Sequence, residues 1–174
     1  WKWNMAKLKG IFAIGIAGEF GINNKLLEHI PEDLVNFKKE TLNKTVIMGS
    51  NTWKSLPKKL PDRKTIVKKK KTPTSKKGEF PDVIFNCFED LCGYINKRKN
   101  EEFIIIGGKQ IIELFEEEFD ELIITSIPNT YPTADTILDL EFLKNYKLRS
   151  TKKIKTTNEN FDYIYVKELE RKAP

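Results

Sequence analysis

The order of apolar and polar positions along the chain predicts alternating strands and helices. Apolar runs predict strands at 10–18, 45–48, 64–67, 82–85 and 103–106. Helices are predicted between and after these runs, at 31–42, after residue 49, at 88–97 and after residue 108. Because such alternation places helices on both faces of a parallel sheet, we predict an α/β fold.

The C-terminal third departs from this alternation. The segment ELIITSI after Asp120 predicts a strand, and a polar loop follows it through Asp135. The stretches 146–153 and 161–169 alternate between apolar and polar positions, so we predict that they pair as a closing hairpin. The lysine-rich stretch 68–78 contains Pro73 and many like charges, which predicts a solvated loop and not a linker between domains.

The predicted helix at 31–42 carries an acid beside an apolar stripe. Pro31 suits the first helical position, because its fixed φ is already helical and its missing N–H is not needed there. Asp33 lies on the edge of the stripe, one turn before Phe37. The helix dipole alone would also favour Asp33 and Glu32 in the first turn. The stripe consists of Leu34, Phe37, Thr41 and Leu42. The order of strand, loop, helix and strand around the acid favours a pocket.

A glycine pair follows the predicted strand at 103–106. Gly107 and Gly108 lead directly into a helix whose apolar stripe is Ile111, Ile112 and Phe115. Such a junction presents free N–H groups at a helix start, where a phosphate can bind. The same pair is also typical of an ordinary tight turn, so the glycines alone do not decide between the two interpretations.

Length and composition favour a single domain. The chain has 174 residues, of which 39% are hydrophobic and 32% charged. No apolar run approaches the roughly 20 residues that cross a bilayer, so we expect a soluble protein without membrane contacts. We predict one domain over 5–174, and residues 1–4, ahead of Met5, as a remnant of cloning or of a leader.

Net charge and cysteine usage restrict the kinds of ligand and metal that we expect this chain to bind. The net charge of +6 attracts anions, and small polyanions fit this charge as well as nucleic acid does. Cys87 and Cys92 have no second Cys/His pair with which to complete a metal site. We therefore expect reduced, structural thiols, no metal and a cytoplasmic location. His29 is the single histidine, and we expect no catalytic role for it.

From about residue 10 to about residue 170 the chain resembles the dihydrofolate reductase family. The resemblance rests on IPEDLVNFKKETLNKTVIMGSNTWKSL, LPDRKTIV, FIIIGGKQIIELF, Thr125, the turn at 134–136 and FDYIYVKEL. It implies a three-layer α/β fold: an eight-stranded, mixed but mostly parallel sheet with an antiparallel C-terminal strand and about four flanking helices. It also implies reduction of 7,8-dihydrofolate by NADPH, with hydride passing to C6 of the pterin and a proton to N5.

The resemblance also implies the substrate residues. Asp33 would hold the pterin through its 2-amino group and ring nitrogen. It would be the only ionisable group near the ring, with a pKa raised by desolvation. Thr125 would orient Asp33 through its hydroxyl. Arg63 would bind the α-carboxylate of the glutamate tail, with Lys38 assisting. The apolar wall around the rings would be Ile11, Phe37, Leu56, Leu60 and Ile106.

On the cofactor side, the resemblance implies three groups of residues. The pyrophosphate would lie against Gly49, Asn51, Thr52, Gly107 and Gly108, and the helix start after the glycines adds Lys109, Gln110 and Ile111. Positions that flank the nicotinamide are Ala13, Ile14 and Ile22. Lys69 and Lys70 would meet the 2′-phosphate, because Ser50 and Gln110 stand where the family often has arginine. Trp53 is expected in the core and not in contact with the cofactor.

Two further departures from the family pattern concern the pocket. Leu26, Leu27 and Glu28 align with a Leu/Met-Pro-Trp step, so the tryptophan that helps to close the pocket is missing. Glu28 would either hold an ordered water or point to solvent, and we favour the second. Ile112 stands where a tyrosine that faces the nicotinamide is common, which we expect to alter packing and not the reaction.

Two other functions compete with folate reduction. A related pyrimidine reductase of riboflavin synthesis shares the fold and cofactor, but it does not usually carry the acid at the start of this helix. A basic nucleic-acid or assembly protein on the same fold would use the lysine runs, but no aromatic residues are interleaved with them. Asp33 and Arg63 favour an enzyme that acts on dihydrofolate and its polyglutamates, and we separately expect a monomer.

Overall fold

The computed structural model describes residues 7–22, 25–69 and 78–173. Its strands are β1 (Leu8–Ile14), β2 (Glu19–Gly21), β3 (Thr45–Gly49), β4 (Lys64–Lys68), β5 (Val83–Phe85), β6 (Phe103–Gly107), β7 (Glu121–Ser126), β8 (Thr136–Ile137), β9 (Tyr146–Lys155) and β10 (Tyr163–Arg171). Its helices are α1 (Pro31–Thr41), α2 (Ser50–Ser55), α3 (Phe88–Asn96) and α4 (Lys109–Phe115), with a 3₁₀ helix at Leu140–Asn145. The predictions for residues 1–4 and for most of the lysine-rich loop lie outside the described residues.

Eight of these strands form one mixed sheet in the order β5-β4-β3-β6-β1-β7-β10-β9. Neighbouring strands from β5 to β7 are parallel, whereas β10 is antiparallel to both β7 and β9. The predicted α/β fold, its eight-stranded sheet and its antiparallel C-terminal strand are therefore confirmed. The predicted closing hairpin is the pair β9 and β10.

The helices cover both faces of this sheet. Successive residues of β1 point to opposite faces, so Phe12 packs with α3 and α4 residues in the largest buried cluster, whereas Ile11 packs on the other face beside Phe37 of α1. Trp53 of α2 is 1% exposed and belongs to a cluster with β3 and β4. The structure thus has three layers, and Trp53 lies in the core as expected.

The predicted strand at 10–18 is too long. β1 ends at Ile14, and the chain then turns, with Gly18 at a φ of +84° and its N–H donating to Gly15 O at 3.2 Å. Only glycine adopts such a φ without strain, so the turn follows from the sequence. The short antiparallel pair of β2 and β8 was not predicted. β2 falls in the loop predicted before α1, and β8 begins directly after the polar loop predicted through Asp135.

The predicted apolar stripe of α1 is partly wrong: Phe37 and Thr41 face the sheet as predicted, but Leu34 does not. Leu34 is 39% exposed, whereas Thr41 is fully buried. The row that faces the sheet runs through Ile30, Asp33, Phe37 and Thr41, at spacings of three and four residues. Asp33 therefore lies within the row that packs on the sheet, and not on its edge.

Candidate functional site

The first turn of α1 places Asp33 against strand β7. Thr125, in β7, is 3% exposed and lies opposite Ala13 of β1 in the parallel register. Its hydroxyl donates a hydrogen bond of 2.6 Å to Asp33 Oδ1. The structure therefore brings together the two residues predicted for catalysis, in the bonded arrangement that the resemblance implies.

The surroundings of Asp33 favour its protonated form. Burial raises the pKa of Asp33 above its ordinary value, and the hydrogen bond from Thr125 offsets only part of this effect. The expectation of a raised pKa is confirmed. A carboxyl group can bind an amino-bearing ring as the carboxylate and can transfer a proton as the acid.

The predicted apolar wall forms two clusters that share one residue. Ile11 and Phe37 belong to a cluster with β6 and β7, whereas Leu56 and Leu60 pack against Trp53 and its neighbours. Ile106, near the end of β6, packs against both clusters. Ile106 therefore connects the two groups of predicted wall residues, and Phe37 lies one turn of α1 after Asp33.

Arg63 is held by its backbone and by α1. It is 8% exposed, and it donates from Nε to Pro61 O at 2.8 Å and from Nη1 to Thr41 Oγ1 at 3.1 Å. Burial lowers the pKa of Arg63, and Asp62 partly opposes this effect, but a guanidinium remains charged at neutral pH. The arginine borders a cleft of about 600 Å³. Lys38, its predicted helper, is exposed on α1.

Glycines and a threonine meet where β3 and β6 end. A Cβ built on Gly49 would lie 3.8 Å from Gly108 N, and one built on Gly108 would lie 3.6 Å from Thr52 Oγ1. Gly107 has a φ of +128°, in the region that favours glycine, and its peptide bond to Gly108 is cis. Ligands of open α/β sheets bind beyond the carboxyl ends of the strands, which is where these residues lie.

Other residues predicted to bind the cofactor are placed less favourably for contact with it through their side chains. Ile14 and Ile111 are 6% and 3% exposed and pack in the largest core cluster, so only their backbones could reach a ligand. Half-buried positions are Ala13, Ile22, Lys69 and Lys109, and exposed positions are Asn51 and Gln110. The prediction for Lys70 lies outside the described residues.

The favoured prediction for Glu28, a side chain that points to solvent, is wrong. Glu28 is half-buried, and each of its carboxylate oxygens accepts a hydrogen bond. Tyr131 donates its hydroxyl to Oε2, and Asn158 donates Nδ2 to Oε1 at 2.9 Å. The acid therefore joins three loops.

The sequence analysis missed two aromatic residues at this site. The ring of Phe20 would lie 3.5 Å from a Cβ built on Gly107, so Phe20 forms one wall of the glycine-lined space. Tyr131 bonds Glu28 through its hydroxyl, and its N–H donates to Glu19 Oε2 at 2.7 Å. Each is the one aromatic residue of its loop, and a lone ring in a polar loop was the available signal.

Glycines line the carboxyl ends of the strands, and the fold also holds a buried acid. Together these features are typical of an α/β enzyme that uses a nucleotide. The family model described as dihydrofolate reductase matches residues 7–171. The chain therefore belongs to the dihydrofolate reductase family, as the resemblance implied.

Two relatives and one solved structure agree with this membership. Dihydrofolate reductase type 9 of Escherichia coli is 34% identical over 162 residues, which cover 90% of this chain and 88% of that protein. The dihydrofolate reductase of Ureaplasma parvum is 34% identical over 142 residues, with 81% and 86% covered. Dihydrofolate reductase from Enterococcus faecalis, complexed with NADP(H) and RAB-propyl, shares the fold with a TM-score of 0.85 at 24% identity, over 96% of this chain and 97% of that chain.

Proposed function

We propose that this chain reduces 7,8-dihydrofolate to 5,6,7,8-tetrahydrofolate with NADPH and so supports one-carbon metabolism and thymidylate synthesis. The observation that carries the proposal is the largely buried carboxyl of Asp33, which accepts a hydrogen bond of 2.6 Å from Thr125 and lies on the helix that also carries Phe37 of the apolar wall. Membership of the dihydrofolate reductase family supports the reaction, because this acid and threonine stand where the family places its own.

Asp33 would both orient the pterin and help to protonate it. Its two oxygens can accept from a ring nitrogen and from the 2-amino group, a charge-assisted pair that fixes the ring. Thr125 holds one of these oxygens in place, so the carboxyl cannot rotate away from the ring. Burial raises the pKa of Asp33, which favours the protonated acid from which a proton can pass to N5.

The glycine-lined space fits a dinucleotide cofactor. A side chain at Gly107 or Gly108 would enter the space beside Thr52, and one at Gly49 would lie near Gly108 N, so these glycines leave room for phosphates to approach the backbone closely. When bound, NADPH supplies the hydride. We propose that Lys69 and Lys70 contact the 2′-phosphate. Replacing both by alanine would then weaken NADPH binding much more than NADH binding, and an equal loss for both cofactors would refute this assignment.

The folate tail would extend from the apolar wall to Arg63. Thr41 and Pro61 hold the guanidinium from one side, which leaves its remaining N–H groups for a carboxylate. The adjoining cleft of about 600 Å³ is lined by Lys58, Lys59 and Lys64, and also by Asp62, Glu79 and Asp82. Lys59 is paired with Asp82 at 2.8 Å, so the further proposal that polyglutamate tails bind here depends on Arg63 and Lys58.

We further propose a monomer in the cytoplasm. Both edges of the main sheet carry features that discourage pairing with another chain: β5 has three residues, and β9 exposes Lys147, Arg149 and Lys152. The cysteines Cys87 and Cys92 are free, as is usual in a reducing compartment. In the part of the chain that the structure describes, no helix could cross a membrane.

The decisive assay measures NADPH oxidation with dihydrofolate and with the pyrimidine of riboflavin synthesis, beside a measurement of nucleic-acid binding. We expect turnover with 7,8-dihydrofolate that a diaminopyrimidine antifolate suppresses. The proposal fails if the purified chain turns over the ribosylaminopyrimidine of riboflavin synthesis instead, or if it binds nucleic acid tightly and oxidises NADPH with neither substrate. A dihydropterin without the glutamate tail serves as a control: Arg63→Ala should raise KM for dihydrofolate about 10–100-fold and leave KM for the tail-less substrate unchanged.

A further inference from the structure

The segment that leads into α1 controls where Asp33 lies. The N–H groups of Asp33 and Leu34 both donate to Ile30 O, at 3.0 and 3.1 Å. Ile30 is 4% exposed and packs with Ile127, Phe161 and Ile164, against which the ring of Tyr131 also packs. Any shift of Ile30 would therefore be passed to the first turn of the helix and to its acid.

Glu28, two residues before Ile30, joins this segment to two distant loops. Its bonds to Tyr131 and Asn158 link positions 103 and 130 residues apart in the chain. Burial and the bond to Glu28 raise the pKa of Tyr131, so the tyrosine stays a neutral donor to the carboxylate. A second bond ties the same turn to α1, because Thr157 donates to Glu32 Oε2 at 3.2 Å.

We propose that Glu28 is a positioning residue, whose carboxylate, shared between Tyr131 and Asn158, holds the start of α1 and so fixes Asp33 for the substrate. The proposal rests on the proposed function for its effect on catalysis, but the tether itself does not. A side chain that accepts hydrogen bonds from donors on two other loops can hold three loops together. In this chain the tether occupies the place where the family usually has a tryptophan.

Three substitutions remove the tether in different ways. Glu28→Ala removes both bonds. Tyr131→Phe removes one bond and keeps the ring in its apolar cluster. Asn158→Asp opposes the carboxylate of Glu28, while its Oδ1 can still accept from Asn160 N, now at 2.7 Å. The matched control is Glu159→Gln, the same loss of charge on an exposed side chain of the same turn.

The first measurement is amide hydrogen exchange, which needs no activity. We expect the amides of Asp33 and Leu34 to exchange about tenfold faster or more in the three variants and at the wild-type rate in Glu159→Gln. Unchanged protection of these amides in Glu28→Ala or Tyr131→Phe would overturn the proposal. If a variant is unstable, Tyr131→Phe decides, because it deletes a single oxygen.

The second measurement is single-turnover hydride transfer with dihydrofolate. Glu28→Ala should slow transfer about tenfold and raise KM for dihydrofolate, with NADPH affinity unchanged. Glu28→Gln should recover most of the rate, because the amide can accept from Asn158 and donate to Tyr131. A Gln variant as slow as the Ala variant would show that the charge matters and not the tether, which would overturn the proposal.

A double variant separates a shared action from two independent ones. Glu28→Ala combined with Tyr131→Phe should be no slower than Glu28→Ala alone, because both changes remove the same bond. Multiplicative losses would overturn the tether. If the wild-type chain fails to reduce dihydrofolate, the proposed function fails while the exchange data still decide the tether. If wild type is active and exchange is unchanged, the tether alone fails.

Discussion

Asp33, at the start of α1, and Glu19, in β2, are both acids withdrawn from water, but they receive different hydrogen bonds. Glu19 is 4% exposed, and its carboxylate accepts from two backbone N–H groups, those of Ala17 at 2.6 Å and Tyr131 at 2.7 Å. Asp33 accepts from a side-chain hydroxyl, that of Thr125. Burial raises the pKa of both groups. At Glu19 the backbone bonds outweigh burial and lower the pKa, whereas at Asp33 burial prevails.

The difference distinguishes a structural acid from the acid that we propose to be catalytic. The backbone donors of Glu19 stabilise its charged form and hold the turn after β1 against the loop of Tyr131. Asp33 has fewer donors, so its charged form is poorly stabilised until a substrate supplies the missing partners. Active sites commonly carry such under-satisfied groups, and the surrounding fold compensates for them.

The largest expected contrast is in turnover. Asp33→Asn should lower turnover of dihydrofolate about 10²–10⁴-fold, because the amide keeps the bond from Thr125 but cannot carry the proton. Glu19→Gln should change turnover by less than about tenfold, since its carboxylate serves the loop and not the ring. Steady-state NADPH oxidation by the two variants measures the contrast, and similar losses would erase the distinction between the acids.

The next contrast is in folding stability at Glu19. Glu19→Gln should lower the free energy of unfolding at neutral pH by about 1–3 kcal/mol, because a buried charged acceptor is lost. The pKa of Glu19 is lowered on folding, so its stabilisation is complete above the ordinary value of 4.5 and disappears as pH falls through the folded pKa. Urea unfolding at several pH values tests this, and a difference from wild type that persists in acid would contradict it.

Thr125→Val should widen the difference in pKa shift between Asp33 and Glu19. Loss of the hydroxyl removes the bond that lowers the pKa of Asp33, so its pKa should rise further and the pH profile of hydride transfer should shift upward. We expect a loss of roughly 1 kcal/mol in stability and a severalfold lower rate. Thr125→Ser keeps the donor and is the matched control. An unshifted profile in the Val variant would refute this role of Thr125.

The smallest expected effect is a gain in stability. Because the pKa of Asp33 is raised on folding, ionisation destabilises the folded state as pH rises from the ordinary value of 3.8 through the folded pKa. Asp33→Asn avoids this cost and should be more stable than wild type at neutral pH, by on the order of 0.5–1 kcal/mol. The gain should vanish below about pH 4 in thermal unfolding, and a variant less stable than wild type at neutral pH would contradict the sign.

The sequence predicted those features that depend on local patterns. Strands of the sheet, the start of α1 at Pro31 and the glycine junction before α4 follow from residue types a few positions apart. The bond between Asp33 and Thr125 spans 92 residues, and it was predicted from the family resemblance and not from the residues alone. A long-range pair can be predicted from a sequence when the chain resembles a family in which that pair is known.

The hydrogen bonds of Glu28 show why some contacts around the site could not be predicted from the sequence. The family has no acid there, and the partners of Glu28 lie in polar loops whose sequence gives no register. The inward row of α1 was predicted only in part for a related reason. Apolar Leu34 was placed in the stripe, but the bonds of Thr41 and Asp33 to Arg63 and Thr125 favour another row, and these partners come from other parts of the chain.

Direct titration of Asp33 tests the central claim most closely. Carbon-13 NMR of labelled aspartate carboxyls in the unliganded protein, with Asp33→Asn to assign the signal, gives the pKa of this one group. We predict a midpoint above the ordinary value of 3.8, with Glu19 in a matching glutamate experiment below 4.5. A midpoint for Asp33 at or below 3.8 would contradict the account, because burial would then not favour the protonated acid from which the proton is transferred.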